Sequence, residues 1–188
     1  MTRSVLVLGL LVAVAGCSSS PSPKQPVPSM TTASTTLGAR PLHLPSVASA
    51  ADCPVTPRRP WSGPGVATNV LGDGPLYPVA DYFQDGTTLD LRAEDREPDG
   101  TYTKKVRWIG TGYTGPVLVR TARIDGPGTA TMRFSYWGET RDGGYYADLP
   151  TDNSDLPATT RVGGPGCYAY QVDGSTFSTT IVFRAVAA

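Results

Sequence analysis

The sequence predicts an all-β fold, an antiparallel β-sandwich, and three observations support this. Glycine and proline, 21 and 18 of the 188 residues, recur at short intervals after residue 53. Between them lie short runs of β-branched and aromatic residues, and no window carries the 3.6-residue apolar period of an amphipathic helix. Short strands separated by turn residues are typical of sandwiches and barrels. We expect about seven strands in an immunoglobulin-like architecture.

Residues 1–16 have the features of a lipoprotein signal peptide. Arg3 supplies the positive charge near the start, and residues 5–14 form an apolar run too short for a transmembrane helix. The run leads into Val14-Ala15-Gly16-Cys17, which resembles the lipobox of bacterial lipoproteins. There the chain is cut before the cysteine, whose thiol takes up a diacylglycerol. The alternative is an ordinary signal peptide followed by a coincidental cysteine. We predict a covalent lipid on Cys17 that anchors the protein at the extracellular face of the cell membrane.

Residues 17–52 form the predicted tether. They are rich in Ser, Thr, Pro and Ala, contain no Phe, Tyr or Trp, and show neither helical nor strand periodicity. Such a segment buries too little apolar surface to offset its ordering entropy, so we predict disorder here and a folded domain over residues 53–188. The single histidine, His43, lies in this tether. This position argues against histidine-based catalysis and against most zinc or copper sites.

Two cysteines remain after Cys17, namely Cys53 and Cys167. An even pair in an exported chain predicts a disulfide. The alternative is a redox pair, but reactive dithiols usually lie close together in sequence, and these two do not.

The first clear strands of the domain follow from alternation. In residues 104–109, Val106 and Trp108 share one face. Residues 117–124 form the next strand, with both faces partly covered. Residues 129–137 form another, and its predicted inward side chains are Ala130, Met132, Phe134 and Tyr136. Weaker strands are predicted near residues 79–83 and 87–92.

The C-terminal residues predict a hairpin. Residues 167–172 and 175–186 flank Asp173-Gly174. An Asp-Gly pair between alternating runs favours a type I′ turn, which needs positive φ at both central residues. In the last strand, one predicted face consists of Phe177, Thr179, Ile181 and Phe183.

Three motifs carry a resemblance to known proteins: Lys105-Val106-Arg107-Trp108, Gly115-Pro116-Val117-Leu118-Val119-Arg120 and Gly164-Pro165-Gly166-Cys167-Tyr168. Together they resemble small secreted proteins and lipoproteins of high-GC Gram-positive bacteria, a group with no established activity. In that group the cysteine is often followed by tryptophan, where this chain has Tyr168. The resemblance covers about the last half of the chain and implies location and fold, but no mechanism.

The balanced net charge and the composition of the acidic segments argue against nucleic-acid binding and against a metal site. The 16 basic and 16 acidic residues balance, so nothing indicates nucleic acid as a partner. Residues 95–100 faintly resemble a calcium loop, but Val106 stands where the closing acid of an EF-hand would be. Residues 152–155 offer oxygen ligands but also suit an ordinary surface loop. We therefore assign no metal, no cofactor and no catalytic residue.

The segment of residues 137–146 is the strongest candidate for a ligand site. Aromatic residues flank a glycine-rich polar stretch with charges of both signs, and loops on a rigid sheet often carry binding residues. The alternative is that Trp137 and Tyr145 fill the core or form cross-strand pairs. The candidate ligand-binding residues are Trp137, Glu139, Arg141, Asp142, Tyr145 and Tyr146.

These observations favour a membrane-anchored extracellular binding or interaction module. Its expected partner is a cell-wall polysaccharide or an envelope protein. Two alternatives stay open. One is a carboxylate-dependent envelope hydrolase, for which Glu139 and Asp142 are the candidate pair of acids. The other is a structural or accessory lipoprotein.

Overall fold

The computed structural model of the protein describes residues 36–48 and 51–188. Cys17, the predicted signal peptide of residues 1–16 and the tether up to residue 35 lie outside the described residues. Within those residues the fold is an antiparallel β-sandwich, which confirms the predicted fold class. None of the helical segments in this part of the chain is long and apolar enough to cross a membrane.

The sandwich packs a four-stranded sheet, in the order β3-β5-β10-β7, against a six-stranded sheet, in the order β4-β12-β11-β6-β9-β8. The strands are β1 (Arg58–Pro60), β2 (Asn69–Leu71), β3 (Leu76–Pro78), β4 (Thr88–Leu91), β5 (Tyr102–Thr111), β6 (Gly115–Arg123), β7 (Ala130–Phe134), β8 (Glu139–Arg141), β9 (Gly144–Leu149), β10 (Asn153–Val162), β11 (Gly166–Gly174) and β12 (Ser178–Ala187). Strands β1 and β2 form a separate pair, and β4 runs parallel to β12. The described residues thus hold twelve strands rather than about seven. Several of the additional strands have only three or four residues, too few for alternation to reveal them.

The core lies between the two sheets and is rich in aromatic rings. Trp108 is fully buried, and its ring meets those of Phe134 and Tyr170 edge-on at centroid distances of 6.2 and 5.0 Å. Val106 is buried in the same core, as the alternation of β5 predicts. The inward assignment of Tyr136 is wrong. Strand β7 ends at Phe134, and the Tyr136 side chain is 77% exposed.

Two turns differ from the sequence-based assignment. Strand β11 continues through Gly174, because β6 pairs with it as far as Val117, and Gly174 N–H donates to the Phe177 carbonyl at 3.0 Å. The chain therefore reverses at residues 175–177 and not at Asp173-Gly174. Residues 80–82, assigned to a weak strand, form a 3₁₀ turn, whereas the strand predicted near residues 87–92 is present as β4.

Residues 36–48, here called the N-terminal strap, lie against the six-stranded sheet on the side away from the core. Leu44 and Val47 pack on a small apolar cluster that includes Ala169 and Val182. Val47 N–H donates to the Ile124 carbonyl at 2.8 Å. The sequence predicted that these residues belong to the disordered tether and that the domain begins at residue 53. Composition does not reveal the strap, because much of its contact uses backbone groups.

The predicted disulfide between Cys53 and Cys167 is present, with the two Cα atoms 5.5 Å apart. It joins the segment before β1 to β11 across a sequence separation of 114 residues. Both cysteines belong to the apolar cluster under the strap. The disulfide thereby ties the segment between the strap and β1 to the six-stranded sheet.

Candidate functional site

The candidate segment is a β-hairpin at the edge of the six-stranded sheet, made by β8 and β9. Its turn is Asp142-Gly143, with φ values of 53° and 71°. These are the two positive φ angles that a type I′ turn requires, so the Asp-Gly rule describes this hairpin rather than the C-terminal one. In the register, Glu139 lies opposite Tyr146, and Thr140 lies opposite Tyr145.

The hairpin register places the candidate residues on two different faces. Directly opposite residues of an antiparallel pair share a face, and successive residues alternate. Tyr145 therefore points toward the core, where its ring meets Phe134 edge-on at 5.9 Å. Its hydroxyl donates to the Phe134 carbonyl at 3.3 Å. Tyr145 is a packing residue, in agreement with the alternative for this side chain.

The opposite side, here called the hairpin face, comprises Trp137, Glu139, Arg141, Tyr146 and Asp148. It borders an open concavity of about 480 Å³ that is lined by residues 137–139, 146–148 and 150. Trp137 is 41% exposed, a large fraction for so large an apolar side chain. Between Trp137 and β8, Gly138 has φ of 106°, and a Cβ at this position would collide with the Tyr146 carbonyl oxygen. Only glycine fits this close backbone approach, which places the Trp137 ring beside β9.

A single guanidinium organises the charges of the hairpin face. The Arg141 guanidinium lies 3.5 Å from the centroid of the Tyr146 ring. It donates to Glu139 at 3.2 Å and lies 3.5 Å from the Asp142 carboxylate. Asp148, in contrast, has neither an ion pair nor a side-chain hydrogen bond in the described part of the chain. Two carboxylates thus share one cation and the third has none, so the surface is negative.

Three of the carboxylates considered for calcium, Asp95, Asp99 and Asp155, contact basic side chains of the same chain. Hydrogen bonds from Thr101 and the guanidinium of Arg161 lower the pKa of Asp99 to about 2. Asp95 contacts Lys104, and the hydrogen bond from Arg107 lowers the pKa of Asp155. In residues 36–48 and 51–188, no group of three His, Cys, Asp or Glu side chains is arranged to hold a metal ion.

Asp148 and Pro150, which are not among the residues predicted from the sequence, line the same concavity. Alternation from Tyr146 would have found Asp148, but residues 137–146 were treated as a loop without a strand period. Another cavity, of about 580 Å³ beside β7, is lined mainly by threonine, glycine and arginine and presents no aromatic ring. The hairpin face differs from it in offering two aromatic side chains to a ligand.

Comparisons with protein-family models, with curated proteins and with solved structures found no match to this chain.

Proposed function

We propose that the domain is a non-catalytic saccharide-binding module, displayed at the extracellular face of the cell membrane by a lipid on Cys17. The observation that carries this proposal is the exposed Trp137 ring beside the concavity that Tyr146 also lines. A pyranose has an apolar C–H face that packs on a flat ring and hydroxyls that bond to carboxylates and guanidinium groups. Binding sites commonly combine aromatic walls with a few polar groups in this way.

The exposure of Glu139 and Asp142 favours binding over hydrolysis. A glycoside hydrolase needs one carboxyl group shielded from water, so that it keeps its proton near neutral pH. The side chains of Glu139 and Asp142 are 63% and 44% exposed, and both lie at the same guanidinium. Such a pair suits contacts with hydroxyl or amine groups of a ligand.

The strap shortens the segment that would separate the domain from the lipid. If Cys17 is the anchor, the tether proper is residues 18–35, which span about 55 Å in a fully extended polyproline conformation. We propose that this reach holds the hairpin face within the inner layers of the cell wall, where wall saccharide is its ligand.

The anchor is tested by expressing the full chain and its Cys17→Ser variant in a host that processes lipoproteins. We expect the parent protein in the membrane fraction and the variant in the soluble exported fraction, because dual acylation gives stable anchoring. Equal recovery of both proteins in the soluble fraction would contradict the proposed anchor.

Saccharide binding is tested with Trp137→Ala, beside Tyr145→Ala and Tyr136→Ala. We expect Trp137→Ala to abolish retention on purified cell wall and to change the free energy of unfolding by less than about 1 kcal/mol, because the ring is exposed. Tyr145→Ala should cost about 2 kcal/mol through lost packing. Tyr136→Ala is the matched control, since Tyr136 is exposed but lies outside the concavity.

The measurements are a wall pull-down and denaturant unfolding of each variant. Retention of Trp137→Ala equal to that of the parent would overturn the proposed site. If Trp137→Ala lost as much stability as Tyr145→Ala, the proposed site would also be overturned, because Trp137 would then be a packing residue.

A further inference from the structure

We propose that the saccharide bound at the hairpin face carries a free primary ammonium group, as an amino sugar without its acetyl group does. This inference rests on the proposed function and names the chemical class of its ligand. It follows from the contacts that the Arg141 guanidinium makes on the hairpin face.

The contacts of Arg141 show that the hairpin face binds a cationic group. Its guanidinium stacks 3.5 Å over the Tyr146 ring and bonds to the Glu139 carboxylate at 3.2 Å. One aromatic ring and two carboxylates, those of Glu139 and Asp142, thus surround this cation. A cation over an aromatic face is attracted by the negative face of the ring, and a neighbouring carboxylate adds to the attraction.

A second ring and a second carboxylate line the same concavity without a cation. Trp137 is exposed, and no arginine or lysine in the described ranges lies over its indole ring. Asp148 lines the concavity and has no basic partner there. Trp137 and Asp148 thus offer a ring and a carboxylate in the same concavity, and a cationic group of a ligand would find both without a cation of the chain.

The overall charge of the surface points to the same class of ligand. Glu139, Asp142 and Asp148 oppose the single charge of Arg141, so the field at the concavity attracts cations and repels uronic acids and phosphorylated sugars. The pyranose ring would stack on Trp137, with its ammonium group at Asp148.

The test uses the folded exported protein and two soluble β-1,4-linked hexasaccharides that differ only in acetylation, one of glucosamine and one of N-acetylglucosamine. Calorimetric titration at slightly acidic pH and low salt should show about tenfold tighter binding of the glucosamine hexamer. The preference should shrink as salt is added, because salt screens exposed charges.

The variant that tests the mechanism is Asp148→Asn, which keeps the shape of the side chain and removes its charge. We expect it to weaken binding of the glucosamine hexamer to the level of the acetylated hexamer and thereby to abolish the preference. Asp152→Asn is the matched control: it removes an exposed carboxylate outside the concavity and should keep the full preference.

The outcomes separate this inference from the proposed function. If both hexamers bind equally, or if Asp148→Asn keeps the preference, the ammonium proposal is overturned and saccharide binding stands. If neither hexamer binds and wall fractions do not retain the parent protein, the proposed function is overturned as well.

Discussion

Replacing Cys53 and Cys167 together with alanine is expected to lower the free energy of unfolding by about 4–5 kcal/mol. The disulfide closes a loop over a sequence separation of 114 residues, and its removal frees that loop in the unfolded chain. The loss is large against a typical domain stability of about 5–15 kcal/mol. Urea unfolding of the parent and of the double variant measures it.

Reductant provides the control for this prediction. It should shift the unfolding midpoint of the parent toward that of the double variant and leave the variant itself unchanged. We also expect faster hydrogen exchange at Val47 N–H in the variant, because the strap packs on the cluster that contains both cysteines. A parent protein whose unfolding midpoint is unaffected by reductant would contradict the stabilising role of the disulfide.

Arg120→Ala is expected to cost about 3–5 kcal/mol, because it leaves a buried carboxylate without its cation. The Asp173 side chain is completely buried, and its carboxylate lies 2.6 Å from the Arg120 guanidinium. Gln171 and Ser178 also donate to Asp173. The guanidinium donates in addition to the carbonyl oxygen of Arg40, at 2.8 Å, so the variant should also loosen the strap.

The matched control for Arg120→Ala is Arg59→Ala. Arg59 contacts Asp73 at the same distance of 2.6 Å, but their side chains are 60% and 71% exposed. An ion pair this exposed contributes at most about 1 kcal/mol. Denaturant unfolding of both variants tests the contrast, and equal losses would contradict the stabilising role assigned to the buried pair.

Alternation predicted the core strands because their period-two pattern is local. Val106 and Trp108 lie inward as expected, and so do Ile181 and Phe183. The Asp-Gly rule described the turn geometry correctly but was applied at the wrong position. Asp173 stays within a strand because its carboxylate pairs with Arg120, which is far away in sequence. A turn rule based on two adjacent residues cannot predict that long-range contact.

Only part of the candidate site could be predicted, because the rest depends on contacts that are not local in sequence. Residues 137–146 were identified as a group, but their division between two faces depends on the β8–β9 register. That register assigns Tyr145 to the core and leaves Trp137, Tyr146 and Asp148 around the concavity. The strap was missed because carbonyl oxygens, such as that of Pro41 accepting from Gln171, hold it in place. Such backbone contacts leave no trace in composition.

The most direct test of the proposed function is to follow the indole N–H signals of the three tryptophans by NMR while a soluble wall oligosaccharide is added. Trp108 is fully buried, and the Trp61 indole N–H donates to the Pro64 carbonyl at 3.1 Å, so both serve as internal references. We predict a saturable shift of the Trp137 signal while the other two stay in place. A Trp137 signal that does not move at saturating saccharide, while the protein remains folded, would contradict the account.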